Sequence, residues 1–293
     1  MPLLIFALMA IMFVSGCGQS TPTTTTTTLN PRPIVNWSGK TVTSSETFSA
    51  KRIYCTGNVS IENGGSLTLD NTSLYMSCEA DAQYGIFVNS GGTFLVTNES
   101  NITAVNTTTG HYAFWYKEGS SGGIYSSTIE ATWTPTTENL ALSSEAGMFV
   151  QCNTFEVVNS TIKNSKGNGI ETYRLLSANR FLASNSSFTN NSANGLLLRN
   201  GGNITISGCT LNNNTKAGLA LISNALTITV ESNTINNNTN YGVQIDNSSP
   251  TFYNNTITGN QWGFYIQQNY GIPQPILGKL SLSNSGYNNI SGN

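Results

Sequence analysis

Short runs of alternating apolar and polar residues recur through most of the chain. In Val243-Gln244-Ile245, for example, a polar residue separates two apolar ones. This two-residue period is typical of a β-strand with one buried face. Beyond the first residues, the sequence has no sustained apolar stripe of the period that a helix requires. The pattern therefore predicts an all-β protein.

These runs belong to a repeat in which an apolar residue and a polar turn precede a glycine and a second alternating run. The clearest copies are STIKNSKGNGI at 160–170, SSFTNNSANGLLL at 186–198, CTLNNNTKAGLAL at 209–221, SNTINNNTNYGVQI at 232–245 and NTITGNQWGFYI at 255–266. The apolar marker falls at Ile162, Phe188, Leu211, Ile235 and Ile257, in steps of 26, 23, 24 and 22 residues. The glycine marker falls at Gly169, Gly195, Gly218, Gly242 and Gly263, in steps of 26, 23, 24 and 21 residues. Two markers with one spacing indicate a structural repeat.

Weaker copies extend the repeat toward the N-terminus. They place Leu74, Ile102 and Ile129 in the apolar register and Gly85, Gly110 and Gly147 in the glycine register. A unit of this length, divided into three short strands and their turns, forms one coil of a parallel β-helix in which strands of successive coils lie roughly 4.8 Å apart.

Stacked coils bring equivalent asparagines into columns. Two adjacent columns of this kind can form ladders of side-chain amides, each bonding to the coil above and below, and we assign the structural ladder to the first of them. Asparagine also tolerates the left-handed backbone of tight turns. The ladder column contains Asn164, Asn190, Asn213 and Asn237, and the adjacent column contains Asn191, Asn214, Asn238 and Asn260.

With these units, and with GGSLTLDNTSL at 64–74 and GGTFLVTNESNI at 91–102, the sequence resembles the right-handed parallel β-helix proteins related to pectate lyases. The resemblance covers roughly residues 52–293. It implies a right-handed, single-stranded parallel β-helix solenoid of about nine to ten coils, which we assign to residues 34–293. That family includes lyases, hydrolases, epimerases, adhesins and surface-layer components, so the resemblance does not fix an activity.

The N-terminus predicts export and a lipid anchor. MPLLIFALMAIMFVSGC contains an apolar run too short to span a bilayer, and it ends in Val14-Ser15-Gly16-Cys17, which resembles a lipobox. We expect residues 1–16 to be a lipoprotein signal peptide and residues 17–33 to be a lipidated Cys17 followed by a Thr/Pro-rich linker. The predicted location is extracytoplasmic, with attachment to the membrane through the lipid alone.

Composition limits the partners. Charged residues make up 9% of the chain and the net charge is −2, so no basic surface for nucleic acid is expected. A cell-surface or extracellular polysaccharide remains a candidate partner, and we expect a monomer.

Four cysteines follow Cys17. Cys55 and Cys78 are 23 residues apart, one coil, which predicts that they stack and form a disulfide. The alternative is a pair of buried thiols. Cys152 and Cys209 occupy different registers, and we expect them to be separate and buried.

Metal and cofactor chemistry have little support. For a polysaccharide lyase, the resemblance would imply a calcium-binding Asp cluster and an Arg or Lys base, but Asp70, Asp81 and Asp246 lie on separate coils. Copper-binding β-helix proteins would need clusters of His, Cys or Met. His111 is the sole histidine, and we interpret it as a surface or packing residue. We expect neither a metal nor a cofactor.

Two surface features could bind a ligand. The first is a concentration of charge, formed by Lys163, Lys166, Glu171, Arg174, Arg180 and Arg199. It is either a solvated rim in which Glu171 pairs with an arginine, or a uronate or sulfate site whose weak catalytic candidates are Lys166, Glu171, Arg174 and Arg199.

The second feature is aromatic. Rings two residues after the glycine marker are predicted to point outward, where they could stack on sugars or lie under loops. They are Phe87, Tyr112, Phe149 and Tyr265. The sequence as a whole favours a structural, adhesion or glycan-binding role, and a polysaccharide lyase acting on acidic glycans is the alternative.

Overall fold

A computed structural model of the protein describes residues 31–135, 145–152, 154–173, 180–224, 227–267, 273–277 and 288–293. The chain from Arg32 to Asn293 forms one compact unit. Every regular element in the described residues is a β-strand, and these strands form three long sheets. The described residues include no helix with the length and apolar character needed to cross a membrane.

Sheet A contains eleven strands in sequence order, of which ten are followed by a strand of sheet B and the last is β31. They are β1 (Ile34–Trp37), β4 (Arg52–Cys55), β7 (Ser73–Met76), β10 (Asn101–Ala104), β13 (Thr128–Glu130), β16 (Thr161–Lys163), β19 (Ser187–Thr189), β22 (Thr210–Asn212), β25 (Thr234–Asn236), β28 (Thr256–Thr258) and β31 (Asn289–Ser291). The predicted apolar marker is the inward column of this sheet, where Ile235 pairs with Leu211 on one side and Ile257 on the other.

Sheet B contains ten strands, each following a strand of sheet A. They are β2 (Lys40–Val42), β5 (Val59–Ile61), β8 (Gly85–Val88), β11 (Ala113–Tyr116), β14 (Ala146–Val150), β17 (Asn168–Tyr173), β20 (Leu196–Arg199), β23 (Ala217–Ile222), β26 (Tyr241–Asp246) and β29 (Trp262–Gln267). The glycine marker lies at the start of sheet B strands, where there is no room for a side chain. A Cβ on Gly195 would lie 2.7 Å from the Gly218 carbonyl oxygen and 2.8 Å from Asn214 Nδ2.

Sheet C completes each coil with ten further strands. They are β3 (Ser45–Ser49), β6 (Ser66–Asp70), β9 (Thr93–Thr97), β12 (Ser121–Tyr125), β15 (Thr154–Val158), β18 (Arg180–Ser184), β21 (Asn203–Ser207), β24 (Ile228–Glu231), β27 (Thr251–Tyr253) and β30 (Ile276–Leu277). Pairing between the strands of each sheet is parallel. The predicted parallel β-helix of about nine to ten coils is confirmed.

The inward residues of all three sheets form a continuous apolar core. Its largest fully buried side chains are aromatic, and Phe155 and Phe181 stack in neighbouring coils with ring centroids 6.4 Å apart. Each coil therefore buries its apolar face only against its neighbours, as in other solenoids.

An asparagine ladder is present along the second of the two predicted columns, and not along the first, to which we assigned it. Side chains of Asn191, Asn214, Asn238, Asn260 and Asn293 are linked from Nδ2 to Oδ1 over 2.9–3.0 Å. A shorter ladder joins Asn233, Asn255 and Asn288 at the other end of the sheet A strands. Buried amides are stable here because every donor reaches an acceptor.

The column predicted to be the ladder has another role. Asn164, Asn190, Asn213 and Asn237 adopt φ values of 54°, 57°, 55° and 55°. Their side chains lie at the surface, exposed or half-buried, and their backbone N–H groups donate to the next coil. These asparagines therefore form the left-handed turns, and the prediction that they form the amide ladder was wrong by one residue.

Candidate functional site

The outer face of sheet B combines rings and charges. Its central column is formed by outward side chains that pair in register from coil to coil. That column contains Phe87, Trp115, Phe149, Glu171, Leu197, Ala220, Gln244 and Tyr265. This set of residues, with those directly beside it, is called the sheet B face below.

One aromatic part of the sheet B face lies in its N-terminal half. The rings of Trp115 and Phe149 contact each other with centroids 5.6 Å apart, and Trp115 Nε1 donates to Gln151 Oε1 over 2.9 Å. Lys117 Nζ lies 5.3 Å from the Trp115 ring centroid and 5.8 Å from that of Phe87. Within the described residues Lys117 forms no salt bridge. A cation held beside two half-buried rings is suited to an acidic sugar, whose ring can stack while its carboxylate meets the ammonium group.

A second group of side chains lies where the chain passes from sheet A to sheet B. Asp81 accepts hydrogen bonds through Oδ1 from the His111 backbone N–H at 3.0 Å, and the same oxygen lies 2.6 Å from His111 Nδ1. Its Oδ2 accepts from Lys166, whose Nζ also lies 4.5 Å from the Trp133 ring centroid. Asp81, His111, Trp133 and Lys166 are called the corner cluster below.

Charge in the corner cluster is balanced around Asp81. Burial acts to raise the pKa of this carboxyl, but hydrogen bonds from Lys166 and His111 outweigh it, so the pKa of Asp81 lies below its ordinary value of 3.8. The carboxylate is therefore ionised at neutral pH and holds both donors in place.

A buried carboxylate lies at the centre of the sheet B face. Glu171 is fully buried, and its Oε2 accepts from Asn168 Nδ2 over 2.9 Å. Its Oε1 lies 3.4 Å from Arg199 Nε, and 19% of the Arg199 side chain is exposed. Asn168 is fixed in turn because its Oδ1 accepts from Asn194 Nδ2 over 2.8 Å. The pairing of Glu171 with an arginine, one of two interpretations of the charged concentration, is thus observed.

Comparison with protein families decides what kind of chain this is. The family model described as "Right handed beta helix region" matches residues 143–293. The chain belongs to this right-handed β-helix family. No curated protein matches the sequence of the chain.

Solved structures share the β-helix fold of the family. A mutant of the periplasmic alginate epimerase AlgG superposes with a TM-score of 0.52 at 14% sequence identity, over 75% of this chain and 60% of that chain. The A-module of the Azotobacter vinelandii mannuronan C-5 epimerase AlgE6 matches with a TM-score of 0.39 at 12% identity, over 87% of this chain and 89% of that one. This β-helix chain spans less than two thirds of the AlgG structure, and at this identity the likeness concerns the fold alone.

The predicted charged concentration is divided among three sheets. Lys163 lies 3.7 Å from Glu130 on sheet A, and Arg180 pairs with Glu156 on sheet C. Lys166 belongs to the corner cluster and Arg199 to the sheet B face. Lys163 and Arg180 therefore do not share one anion site with the others. Arg174 lies outside the described residues.

Two of the four predicted stacking rings are buried. Tyr112 points inward, where its hydroxyl donates to the Ile102 carbonyl over 3.2 Å. The prediction failed because Ala113, not Gly110, is the residue that pairs with Gly85, so the inward and outward positions are shifted. Phe149 does lie on the sheet B face, but it is fully buried in a cluster with Tyr173.

The other two predicted rings are accessible. Phe87 is half-buried beside Lys117, and Tyr265 is 37% exposed and stacks on Tyr241 with centroids 4.6 Å apart. The usable aromatic surface is therefore split between the two ends of the sheet B face.

The predicted disulfide is not formed. Cys55 and Cys78 are free thiols, because the register places Met76, not Cys78, beside Cys55. Burial raises the pKa of both thiols. Cys152 and Cys209 are also free and buried, as expected, and burial raises their pKa values to about 12 and about 11. Cys17 lies outside the described residues.

The corner cluster was missed by sequence reasoning. His111 lies 30 residues from Asp81, and Lys166 lies 85 residues from it. One signal was available, because Asp81, His111 and Lys166 all fall in the few residues that precede a sheet B strand. In the described residues no group of three or more His, Cys, Asp or Glu side chains is arranged to hold a metal ion.

Proposed function

We propose that the protein is a lipid-anchored, extracytoplasmic β-helix that binds an acidic polysaccharide on the sheet B face. The observation that carries this proposal is Lys117, a cation without a carboxylate partner in the described residues, held over the rings of Phe87 and Trp115. Sugar recognition uses ring stacking, and an acidic sugar adds an ionic contact to it.

The structural neighbours support the choice of glycan class. One is named as a periplasmic alginate epimerase, and alginate is an acidic polysaccharide. The same neighbour supports a location outside the cytoplasm, in agreement with the predicted signal peptide. The anchor at Cys17 rests on the lipobox-like Val14-Ser15-Gly16-Cys17 alone.

The test compares two half-buried lysines on different parts of the β-helix. Lys117→Gln should weaken binding of alginate oligosaccharides by about 0.2–1 kcal/mol, because one exposed ionic contact is lost. Lys51→Gln should leave affinity unchanged, because Lys51 lies in the turn between β3 of sheet C and β4 of sheet A and not on the sheet B face. Wild-type affinity should fall with salt, since screening at roughly 0.15 M acts over about 8 Å. Equal binding of neutral and acidic glycans would refute the acidic-glycan proposal.

A lyase acting on acidic glycans is the second candidate function, and the corner cluster is the observation that favours it. A lyase needs a base to take the proton next to the sugar carboxylate. A double bond then forms as the bond to the leaving oxygen breaks, and that oxygen takes up a proton to become a hydroxyl group. His111, held by Asp81 beside Lys166, has the right groups around it. Only 9% of the His111 side chain is exposed, however, which favours a structural role. Ultraviolet absorbance from an unsaturated product, abolished by His111→Ala, would establish the lyase.

A further inference from the structure

The outer face of sheet A changes character in its last five strands. From β19 to β31 every outward side chain is a serine, threonine or asparagine, and every central residue points inward. The outward residues are Ser187, Thr189, Thr210, Asn212, Thr234, Asn236, Thr256, Thr258, Asn289 and Ser291. This set of ten is called the sheet A lattice below.

The lattice repeats in two dimensions. Thr210, Thr234 and Thr256 pair in register across neighbouring strands, as do Asn212 and Asn236 in the second column. Strands of a parallel sheet lie roughly 4.8 Å apart, and residues two apart along a strand lie about 6.6 Å apart. Ten small polar side chains therefore stand at the points of a regular rectangular net.

Two asparagine ladders flank this net. Just before the N-terminal end of the strands, Asn233 Nδ2 donates to Asn255 Oδ1 over 2.9 Å. Just after the C-terminal end of the strands, Asn238 Nδ2 donates to Asn260 Oδ1 over the same distance. Side-chain ladders are one of the means by which a sheet of many strands resists its natural twist. In β25, β28 and β31 these side-chain hydrogen bonds lie at both ends of the strand, which favours a fixed spacing of the lattice.

The chemistry of the lattice limits the classes of ligand that it can bind. All five strands are described, and their outward residues carry neither a charge nor an aromatic ring. A mineral surface is ionic and would call for charges, and a glycan would call for stacking platforms. Threonine instead presents a hydroxyl beside a methyl group.

We propose that the sheet A lattice binds ice. Frozen water is neutral, repeats in two dimensions, and both donates and accepts hydrogen bonds at short range. A rigid net of hydroxyl, methyl and amide groups can order water in the same pattern and join it to the crystal. This activity uses sheet A and is independent of glycan binding on the sheet B face.

The experiment measures thermal hysteresis and ice shaping by the full chain. Wild-type protein should hold ice crystals below their melting point, produce faceted growth and partition into slowly grown ice. Thr234→Lys, which places a long charged side chain at the centre of the lattice, should lose most of this activity. Thr210→Lys is the second variant and should behave in the same way.

Thr47→Lys is the matched control, because Thr47 is also an exposed threonine but lies on sheet C. It should keep wild-type hysteresis, and all three variants should keep the wild-type circular dichroism spectrum. Absence of hysteresis and of ice partitioning in the wild-type protein would overturn the proposal. So would equal loss in the Thr47 and Thr234 variants, or a preference of the wild-type protein for crystalline cellulose or chitin over ice. None of these three results would affect the proposal that the sheet B face binds an acidic glycan.

Discussion

Asn214 donates both its backbone N–H and its side-chain Nδ2 to one atom, Oδ1 of Asn238, over 3.0 Å in each case. The same Nδ2 also donates to the Phe188 carbonyl of the preceding coil over 3.1 Å. One asparagine thus joins three successive coils. This relation recurs at Asn238 and Asn260, and it explains why the sequence carries asparagine where a strand former would be expected.

The ladder predicts opposite outcomes for two neighbouring residues. Asn214→Gly should destabilise the protein by about 1–3 kcal/mol, because the buried donors of Asn191 lose their acceptor. Asn213→Gly should be close to neutral, since its φ of 55° suits glycine and Gly259 holds the equivalent turn two coils later. Urea unfolding of both variants measures the difference. Equal losses at the two positions would show that Asn214 does not belong to a ladder.

Acid should weaken the corner cluster through Asp81. Its pKa is depressed in the folded protein, so its contribution to stability is complete above the unfolded pKa and disappears as the pH falls through the lower folded pKa. The loss is therefore expected below the ordinary value of 3.8. Unfolding temperatures measured down this pH range should fall more steeply for wild type than for Asp81→Asn. Parallel curves would mean that the contacts of Asp81 with Lys166 and His111 do not form in solution.

Thiol chemistry should report four buried, unpaired cysteines. In the native protein at pH 8, iodoacetamide should leave Cys55, Cys78, Cys152 and Cys209 unmodified, because burial raises the pKa of each thiol and excludes the reagent. In denaturant without reductant all four should react. A peptide in which Cys55 is cross-linked to Cys78, found by mass spectrometry without reduction, would contradict the observed register.

Membrane attachment should depend on Cys17. Cys17→Ser should abolish incorporation of labelled acyl chains and prevent processing at the predicted signal peptide. Detergent partitioning of the wild-type protein and the variant provides the second measurement. Acyl label that persists on the variant would refute the anchor.

The repeat itself could be predicted because each coil obeys the same constraints. The inward column around Ile235 must be apolar in every coil, and Gly242 must stay small, since a Cβ there would lie 2.9 Å from Asn260 Nδ2. Both constraints are local and recur at one period, so the sequence displays them directly. The ladder was misplaced by one residue because asparagine serves two purposes side by side, and composition alone does not separate a left-handed turn from a buried amide.

The candidate sites were harder to predict because they depend on the offset between coils. The residues before Ala113 shift the alternation in one coil, which turned Tyr112 inward and brought Trp115 to the surface. Some contacts, such as that of Asp81 with Lys166, join coils that are not neighbours along the chain. The residues in contact lie in turns, and the repeat pattern of the sequence does not predict the conformation of these turns.

The central claim is that the sheet B face binds an acidic polysaccharide through Trp115. Calorimetric titration with alginate oligosaccharides should show that Trp115→Ala loses about 0.5–1.5 kcal/mol of binding free energy, the scale of a lost ring contact. Tyr54→Ala is the control, because Tyr54 is an equally half-buried ring that stacks on Tyr75 on sheet A, and it should bind like wild type. Equal affinity of Trp115→Ala and wild type, or equal losses in both variants, would contradict the assignment of the site to sheet B.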